Sequence, residues 1–304
     1  MADPGRSDRI DAREEPALTN PRAERVKAVR ALSGRSARQR HGRFLVEGPQ
    51  AVREAVHDDD ARVRDLYVSP PAAARHADTV REAEASGIRV TVASPEVLAA
   101  MSADAQGIVA VLDLLDARLA AVLAGGPRLV AVLAHVRDPG NAGTVIRASD
   151  AAGADAVVVT DSSVDVHNPK VVRSTAGSLF HLPVVAGEPL ADAVAALRTA
   201  GLTILAADGD GDHDLDDLLD GLAGARSDAG ARSPSGTPDL AAPTAWVFGN
   251  EAWGLHEADR DLADAVVRVP IRGRAESLNL ATAAAVCLFA SARAQRGSRA
   301  GHGG

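Results

Sequence analysis

The chain has 304 residues, which allows one large domain or two modest ones, and its 46% of hydrophobic residues can form a buried core. Its net charge of −8 excludes a protein that binds nucleic acid through bulk charge alone. The single cysteine, Cys287, excludes an internal disulfide. With no apolar leader and no apolar run of the ~20 residues that span a bilayer, the sequence predicts a cytoplasmic protein without membrane segments.

The first third of the chain predicts a tail and a compact α/β domain. Residues 1–21 lack periodicity, and we expect them to be disordered. Over 22–112 the pattern predicts a basic amphipathic helix from Arg22, then strands and helices in alternation, with strands at 43–48 and 88–93 and a helix at 72–86. The basic helix suits a polyanion, although a solvated helix face explains its charge as well.

After a linker at 113–127, the pattern predicts a second α/β domain over 128–295. Its first strand, 128–134, is a continuous apolar run typical of a buried parallel strand. Helices are predicted at 141–152, 170–178 and 189–200, and a final helix starts at about 278. We expect 296–304 to be a disordered tail.

Residues 209–243 are rich in Gly, Asp, Ser, Pro and Ala. The run D-G-D-G-D-H-D invites comparison with a calcium loop. Counted from Asp208, however, the sixth and twelfth positions, which an EF-hand fills with Gly and Glu, hold His213 and Leu219. We therefore expect a flexible acidic surface insertion.

The stretch 135–159 predicts strand, turn, helix and strand, with Asn141 as the cap of the helix. Arg147 shares a helix face with Thr144, Ala148 and Ala151, and these small neighbours leave its guanidinium open to a phosphate or carboxylate. The alternative is a solvated arginine. A Rossmann dinucleotide site is excluded because no G-x-G-x-x-G follows the strand.

Two later strands also end in polar loops. In W-V-F-G-N-E-A-W-G-L, Gly249 permits close approach of a ligand or a backbone, and Asn250 and Glu251 follow at the carboxyl end of the strand. In R-G-R-A-E-S-L-N, Ser277 is the expected helix cap and Asn279 falls in the first turn. Turns with solvated polar tips remain the alternative at both places.

In order and spacing, these stretches resemble the three motifs of the SpoU (TrmH-like) RNA 2′-O-ribose methyltransferases of the SPOUT superfamily. The matching residues are N-x-G-x-x-x-R at 141–147, F-G-N-E-x-x-G-L at 248–255 and V-P-I-x-G-x-x-E-S-L-N at 269–279. Residues 168–184 resemble the family's intermediate segment. The N-terminal unit that contains R-F-L-V-E-G, 43–48, resembles the family's small L30e-like substrate-binding domain. The resemblance covers about Arg22–Arg293, and 209–243 departs from it.

The resemblance implies an L30e-like α/β domain followed by a SPOUT α/β domain whose C-terminal half forms a trefoil knot and packs into a homodimer. It implies S-adenosylmethionine as cofactor, bound by Gly249, Val269, Ile271, Ser277 and Leu278. It also implies catalysis by Arg147, supported by Asn141, Glu251, Ser277 and Asn279. The implied RNA contacts are Arg25, Lys27, Arg30, Arg35, Arg38, Arg40, Arg43, Lys170 and Arg173.

The activity implied is methylation of a ribose 2′-hydroxyl in structured RNA, with 23S rRNA as the expected substrate because the chain carries a separate N-terminal domain. The alternatives are a tRNA 2′-O-methyltransferase, a non-catalytic RNA-binding protein of the same fold, and an ordinary nucleotide-binding α/β protein. The missing glycine-rich phosphate loop disfavours the last of these. No metal is expected, because His135, His167 and His181 lack the spacing of metal ligands.

Overall fold

The computed structural model describes residues 16–227 and 236–299. Residue contacts divide them into two compact units. Unit 1 contains the chain up to Leu114 together with His167–Phe180. Unit 2 contains Leu115–Val166 and the chain from His181 onward.

The helices, in chain order, are α1 (Glu24–Ala31), α2 (Arg35–His41), α3 (Pro49–His57), α4 (Pro70–Arg75), α5 (Ala77–Ala85), α6 (Pro95–Met101), α7 (Leu119–Ala124), α8 (Pro139–Ala152), α9 (Pro169–Ser174), α10 (Leu190–Thr199), α11 (Leu215–Ser227), α12 (Glu257–Arg260) and α13 (Leu280–Arg299). The strands are β1 (Arg43–Glu47), β2 (Val63–Val68), β3 (Arg89–Val92), β4 (Ile108–Asp113), β5 (Leu129–Leu133), β6 (Ala156–Thr160), β7 (Val184–Glu188), β8 (Thr203–Ala207), β9 (His213–Asp214), β10 (Thr244–Phe248) and β11 (Ala265–Arg268).

Unit 1 is built on a four-stranded sheet in the order β1-β4-β2-β3. The pairs β1–β4 and β4–β2 are antiparallel, whereas β2–β3 is parallel. The valines of α1, Val26 and Val29, are buried in one cluster with Leu45 and Tyr67 of the sheet. Because α1 places its apolar positions on one face, its basic positions lie on the outer face.

Unit 2 is built on a seven-stranded parallel sheet in the order β7-β6-β5-β10-β8-β11-β9. All five residues of β5, β6 and β10 are buried, as expected for strands covered on both faces. The long helix α13 packs against α8 and against the sheet. The Nε1 of buried Trp246 donates to the Oγ of Ser291 at 2.9 Å, which fixes α13 on β10. The predicted α/β class is confirmed.

The predicted basic helix is present as α1, which ends at Ala31. A second short helix that was not predicted, α2, follows it, and the extended Gly34 is its N-cap. The helix predicted at 72–86 forms α4 and α5, separated at His76, whose backbone is not helical. The small apolar residues of 72–86 continue across the break at His76, so periodicity alone predicts one helix there.

The acidic segment also differs from the expectation. Residues 213–227 form β9 and α11, because Leu215 and Leu218 are buried against unit 2 and give this helix an apolar face. Residues 228–235 of the predicted insertion lie outside the described residues.

The predicted tails differ in part. Leu18 forms a parallel bridge with Ala93, and α13 continues to Arg299. The remaining tail residues, 1–15 and 300–304, lie outside the described residues.

Candidate functional site

The polar loops singled out in the sequence follow parallel strands of unit 2. Because these strands are parallel, their carboxyl ends meet at one edge of the sheet. Asn141 follows β5, Glu251 follows β10 and Asn279 follows β11. The strand order reverses between β5 and β10, which is the position where open α/β sheets form a ligand crevice.

A tight hairpin follows β10. The backbone groups of Asn250 and Gly254 exchange hydrogen bonds at 2.8 and 2.9 Å, and the side chain of Asn250 accepts from Ala252 N at 2.8 Å and donates to His135 O at 2.8 Å. A Cβ on Gly249 would lie 2.4 Å from the carbonyl atoms of Gly254. The close approach expected at Gly249 is therefore made by this backbone.

The hairpin holds Glu251 against the start of α8. Its Oε1 accepts from Asp138 N at 3.1 Å and from Asn141 Nδ2 at 3.3 Å, and its Oε2 accepts from Arg137 N at 3.4 Å. These backbone donors belong to the turn between β5 and α8, where N–H groups have no partner within the helix. The Glu251 carboxylate therefore connects two loops of the crevice.

A further bond brings in the loop before α13. Asn279 donates from Nδ2 to Asn141 Oδ1 at 3.0 Å. Its own Oδ1 accepts from Ala281 N at 2.9 Å and from Thr282 N at 3.3 Å, so Asn279 caps α13. The expectation that Ser277 caps this helix is wrong, because the helix begins three residues later.

The expected cap of α8 is corrected in the same way. The Oδ1 of Asp138 accepts from Asn141 N at 2.7 Å, and Pro139 occupies the first position of the helix. Asn141 therefore lies in the first turn, where its side chain is available to both Glu251 and Asn279. The sequence D-P-G-N carried the signal for the true cap, since Asp before Pro is a common start of a helix.

Arg147 lies on α8 six residues beyond Asn141, about 9 Å further along the helix axis at 1.5 Å per residue. It is exposed, as its small neighbours predict. It makes no hydrogen bond or ion pair with any other residue that the structure describes. The structure therefore brings Asn141, Glu251 and Asn279 together by hydrogen bonds and leaves the guanidinium of Arg147 open on the same helix.

The loop at 269–278 carries the remaining residues expected to bind the cofactor. Ile271 and Leu278 are exposed large hydrophobic residues, 39% and 36% accessible, and Ser277 is exposed beside them. Across the described residues, the N–H and C=O groups of this loop form no backbone hydrogen bond. Free backbone groups next to exposed aliphatic side chains fit a ligand that combines hydrogen-bonding groups with apolar surface.

Two residues of the site were missed in the sequence. Trp253, in the hairpin, is 46% exposed, and the guanidinium of Arg137 lies 5.5 Å from the centre of its ring. Sequence spacing does not predict this pair, because the turn that holds Arg137 and the hairpin that holds Trp253 meet only in the folded sheet.

The basic residues of unit 1 fall into two groups. Arg38 is buried and donates to Leu32 O at 2.9 Å and to Ser33 O at 2.7 Å. Arg25 donates to the Tyr67 hydroxyl at 2.7 Å and is paired with Asp65. The second group is exposed and consists of Lys27, Arg30, Arg35, Arg40, Arg43 and Lys170.

Unit 1 also contains an open cleft of about 450 Å³, which Arg30, Lys170 and Arg173 line together. Arg173 is paired there with Glu47 and, at 2.6 Å, with Asp104. The structure thus brings two of the exposed cations and one paired cation to a single surface of unit 1.

The three histidines considered as metal ligands have other partners. His135 Nε2 lies 3.1 Å from Asp259 Oδ2, His181 Nδ1 lies 2.8 Å from Asp150 Oδ2, and the His167 ring meets Phe44 edge-on. Among the described residues, no group of three His, Cys, Asp or Glu side chains is placed to hold a metal ion.

None of the helices in 16–227 and 236–299 combines the length and apolar character that crossing a membrane requires.

Two family models match the chain. Residues 128–289 match the model of the SpoU rRNA Methylase family, and residues 23–110 match the model of an MRM3-like substrate binding domain.

Among curated relatives, the 23S rRNA (guanosine-2′-O)-methyltransferase RlmP of Bacillus subtilis is 30% identical over 90% of this chain and 97% of its own length. A 23S rRNA (uridine-2′-O)-methyltransferase of Streptomyces viridochromogenes is also 30% identical, over 95% of each chain.

Solved structures agree. The SpoU methyltransferase AviRb of Streptomyces viridochromogenes, in complex with AdoMet, superposes with a TM-score of 0.73 at 30% identity, covering 92% of this chain and 99% of that one. An AdoMet-bound rRNA methyltransferase of Sinorhizobium meliloti superposes with a TM-score of 0.75 at 27% identity, covering 91% and 97%.

Proposed function

The chain belongs to the SpoU rRNA methylase family, and we propose that it methylates a ribose 2′-hydroxyl of 23S rRNA through the site built on Asn141, Arg147, Glu251 and Asn279. It is an S-adenosylmethionine-dependent RNA 2′-O-methyltransferase. The observation that carries the proposed site is the hydrogen-bonded chain Glu251–Asn141–Asn279, which joins the loops after three different strands at one edge of the sheet.

S-adenosylmethionine, when held by the loop 269–278, would supply an electrophilic methyl carbon to the ribose oxygen, with its thioether as the leaving group and the hydroxyl proton passing to water. The protein's main contribution to such a displacement is the placement of the oxygen in line with the carbon–sulfur bond. We assign this placement to Arg147. A guanidinium has five N–H donors and no acceptor, so Arg147 holds an RNA phosphate by two parallel bonds and does not take up the hydroxyl proton.

Asn141, Glu251 and Asn279 are positioning residues in this proposal. Their hydrogen bonds fix the start of α8 against the hairpin and against the start of α13. Because Arg147 lies on α8, the same bonds fix its position relative to the loop 269–278. Gly249, Val269, Ile271, Ser277 and Leu278 are the residues proposed to hold the cofactor, largely through backbone groups.

Unit 1 is proposed to bind the rRNA outside the reacting nucleotide. The residues proposed to contact phosphates are the exposed cations Lys27, Arg30, Arg35, Arg40, Arg43 and Lys170, of which Lys27 is also paired with Glu24 and Arg43 with Asp113. Arg25, Arg38 and Arg173 are less accessible, because each is buried or half-buried against protein groups. Each phosphate contact releases counterions from the RNA, so binding should weaken steeply as salt concentration rises.

We further propose that the enzyme is a homodimer that acts in the cytoplasm, and that the trefoil knot implied by the motifs is present in unit 2. Support for a dimer comes from α13, on which Val286 and Phe289 are 40% and 50% exposed. Two large apolar side chains at i and i+3 on one helix face fit a helix-packing interface. Sedimentation equilibrium should give twice the chain mass, and Phe289→Glu should give the monomer mass.

Transfer of a tritiated methyl group to RNA tests the activity and the choice of substrate. We expect incorporation into an unmodified 23S rRNA transcript of the host organism and none into total tRNA. Incorporation into tRNA alone would identify a tRNA 2′-O-methyltransferase. Binding of S-adenosylmethionine without transfer to any RNA would identify a non-catalytic relative.

Mapping 2′-O-methyl groups in rRNA from a deletion strain then identifies the nucleotide. This measurement is needed because one relative is named for a guanosine and another for a uridine.

A further inference from the structure

We infer that Trp253 and Arg137 form a stacking site for a nucleobase of the RNA substrate, beside the methyl-transfer site. The inference rests on the proposed function in one respect, namely that the ligand is RNA. It adds a base contact to an arrangement in which Arg147 and the basic residues of unit 1 contact phosphates. Phosphate contacts position the RNA, whereas contacts with bases distinguish one nucleotide environment from another.

The first support is the use of aromatic residues in this chain. The whole sequence contains four Phe, two Trp and one Tyr, all of which lie within the described residues. Phe289 and Trp253 are the two that are exposed, and Trp246 is fully buried in the sheet. The chain therefore places one of its two indole rings at the surface, two residues after Glu251.

The second support is the surroundings of the ring. The guanidinium of Arg137 lies 5.5 Å from the centre of the Trp253 ring, and the His256 ring lies 5.9 Å away at an interplanar angle of 21°. These separations are typical of offset packing, and they leave 46% of Trp253 accessible. Aromatic rings and the guanidinium planes of arginine are the usual stacking partners of an unpaired RNA base, and here the Arg137 guanidinium lies over the Trp253 ring.

The third support is rigidity. Trp253 lies in the hairpin closed by Asn250 and Gly254, and the hairpin is fixed to the start of α8 through Glu251. Arg137 is held in the same place, because its backbone N–H donates to Glu251 Oε2 at 3.4 Å. Since both partners are anchored to one carboxylate, a base stacked on them has a defined position relative to Asn141 and α8.

Trp253 itself provides a binding measurement that does not depend on catalysis. In a Trp246→Phe variant, Trp253 is the one remaining tryptophan, so its fluorescence reports on its own environment. The probes are a mixed-sequence single-stranded RNA decamer and a decamer with the same backbone that lacks its central bases. We expect quenching by the complete decamer and little quenching by the abasic decamer, because the two differ in bases and not in phosphates.

Kinetics with a 23S rRNA transcript provide the second measurement. Trp253→Ala should raise the KM for RNA by about five- to hundredfold, the range found when a stacked aromatic residue is removed. Its affinity for S-adenosylmethionine should be unchanged. Trp253→Phe should have a KM for RNA close to that of wild type, because a phenyl ring can still stack on a base. Arg137→Gln keeps the backbone bond to Glu251 and should raise the KM for RNA less than Trp253→Ala does.

Three results would overturn the inference. The first is equal quenching by the complete and abasic decamers, which would indicate a phosphate contact. The second is a Trp253→Ala variant with the wild-type KM. The third is a change of oligomeric mass in Trp253→Ala, which would make the residue part of a protein interface. The proposed function fails separately, through absence of methyl transfer by the wild-type protein, and the decamer experiment decides the stacking site in either case.

Discussion

Asn279 donates a hydrogen bond to Asn141 at 3.0 Å, across 138 residues of sequence. Asn279 is at the same time the cap of α13, since its Oδ1 accepts from the first amides of that helix. Asn141 is in the first turn of α8 and also donates to Glu251. The starts of the two helices that pack together over the sheet are therefore joined at the crevice by one pair of amide side chains.

This pair explains why the crevice needs polar side chains at the start of an otherwise apolar helix. Asn279 accepts from its own helix through Oδ1 and donates to Asn141 through Nδ2. Asn141 accepts that bond through Oδ1 and donates to Glu251 through Nδ2. A change at any of the three positions alters the relative placement of α8, the hairpin and the loop 269–278, although each residue is itself near the surface.

Replacement of Arg147 by Ala should abolish methyl transfer while leaving the fold and the affinity for S-adenosylmethionine unchanged. Arg147 is exposed and has no partner among the described residues, so its removal leaves no protein group unsatisfied. Loss of a group that places the reacting atoms lowers kcat by about a hundredfold or more. Single-turnover transfer and calorimetric cofactor binding measure the two effects.

Arg147→Lys is the matched control, because lysine keeps the charge and lacks the two-pronged geometry. It should recover a small part of the rate. A wild-type rate for Arg147→Ala would refute the role assigned to this residue.

Glu251→Ala should reduce methyl transfer about tenfold with a loss of unfolding free energy of about 1 kcal/mol, because the carboxylate orders the site and water can replace it on the exposed side. Three donors lose their acceptor in this variant: Arg137 N, Asp138 N and Asn141 Nδ2. Urea unfolding and initial rates at saturating cofactor measure both.

Glu251→Gln is the informative comparison. The amide oxygen of the glutamine can still accept from one of the two backbone N–H groups, whereas its NH₂ group cannot accept from the others. The methyl-transfer rate of Glu251→Gln should therefore fall between those of wild type and Glu251→Ala. A Gln variant slower than the Ala variant would contradict the view that Glu251 acts as an acceptor.

Gly249→Ala should destabilise the protein by about 1–3 kcal/mol, the usual effect of overpacking a closely packed site. The added Cβ would lie 2.4 Å from the C and O atoms of Gly254 and 2.7 Å from Leu255 N, and these are backbone atoms that move only with the hairpin. Gly209→Ala is the control at the same edge of the sheet, since its Cβ would meet nothing within 4 Å. Thermal unfolding of the two variants should differ by several degrees, and equal melting temperatures would show that the hairpin adjusts freely.

The sheet of unit 2 was predictable because its strands are continuous apolar runs. V-A-V-L and A-V-V-V are buried on both faces and read as parallel strands from composition alone. The break at His76 was not predictable from periodicity, since the small apolar residues of 72–86 continue through it. The helix α11 was hidden by the acidic residues around it, although Leu215 and Leu218 carry the spacing of an apolar face.

At the site, the polar residues could be predicted from the sequence, but the prediction of which of them cap α8 and α13 was wrong. Asn141 and Ser277 were expected as caps, whereas Asp138 and Asn279 occupy those positions. A shift of the first helical residue by one or two positions changes which residue is the cap, whereas sequence patterns locate helix ends only to within a few residues. The bonds among Asn141, Glu251 and Asn279 depend on the folded sheet, which no local pattern contains.

Arg173→Met should destabilise unit 1 by about 2–3 kcal/mol. The Glu47 side chain is 3% exposed and would lose the cation that pairs with it, keeping its bond from the Ser102 hydroxyl. The figure is below the usual range for a buried pair because the Arg173 side chain is 38% exposed. In urea unfolding, the double variant Glu47→Gln/Arg173→Met should be more stable than the single variant Arg173→Met, because the double variant no longer contains an unpaired Glu47 carboxylate. A double variant that loses the sum of both single losses would argue against direct coupling of the two residues.

Cys287 should be unreactive in the folded protein. Burial raises the pKa of its thiol to about 12, whereas an unfolded cysteine ionises near 8.5. At pH 8 the folded thiol is therefore protonated, and Ellman's reagent should titrate no thiol before denaturation and one thiol per chain after it.

Because the folded pKa of Cys287 is raised, the contribution of this thiol to stability is complete below pH 8.5 and is lost as pH rises toward 12, by up to about 1.4 kcal/mol per pH unit. Urea unfolding between pH 8 and 10 should show a steeper decline for wild type than for Cys287→Ala, and parallel declines would place the thiol within reach of solvent.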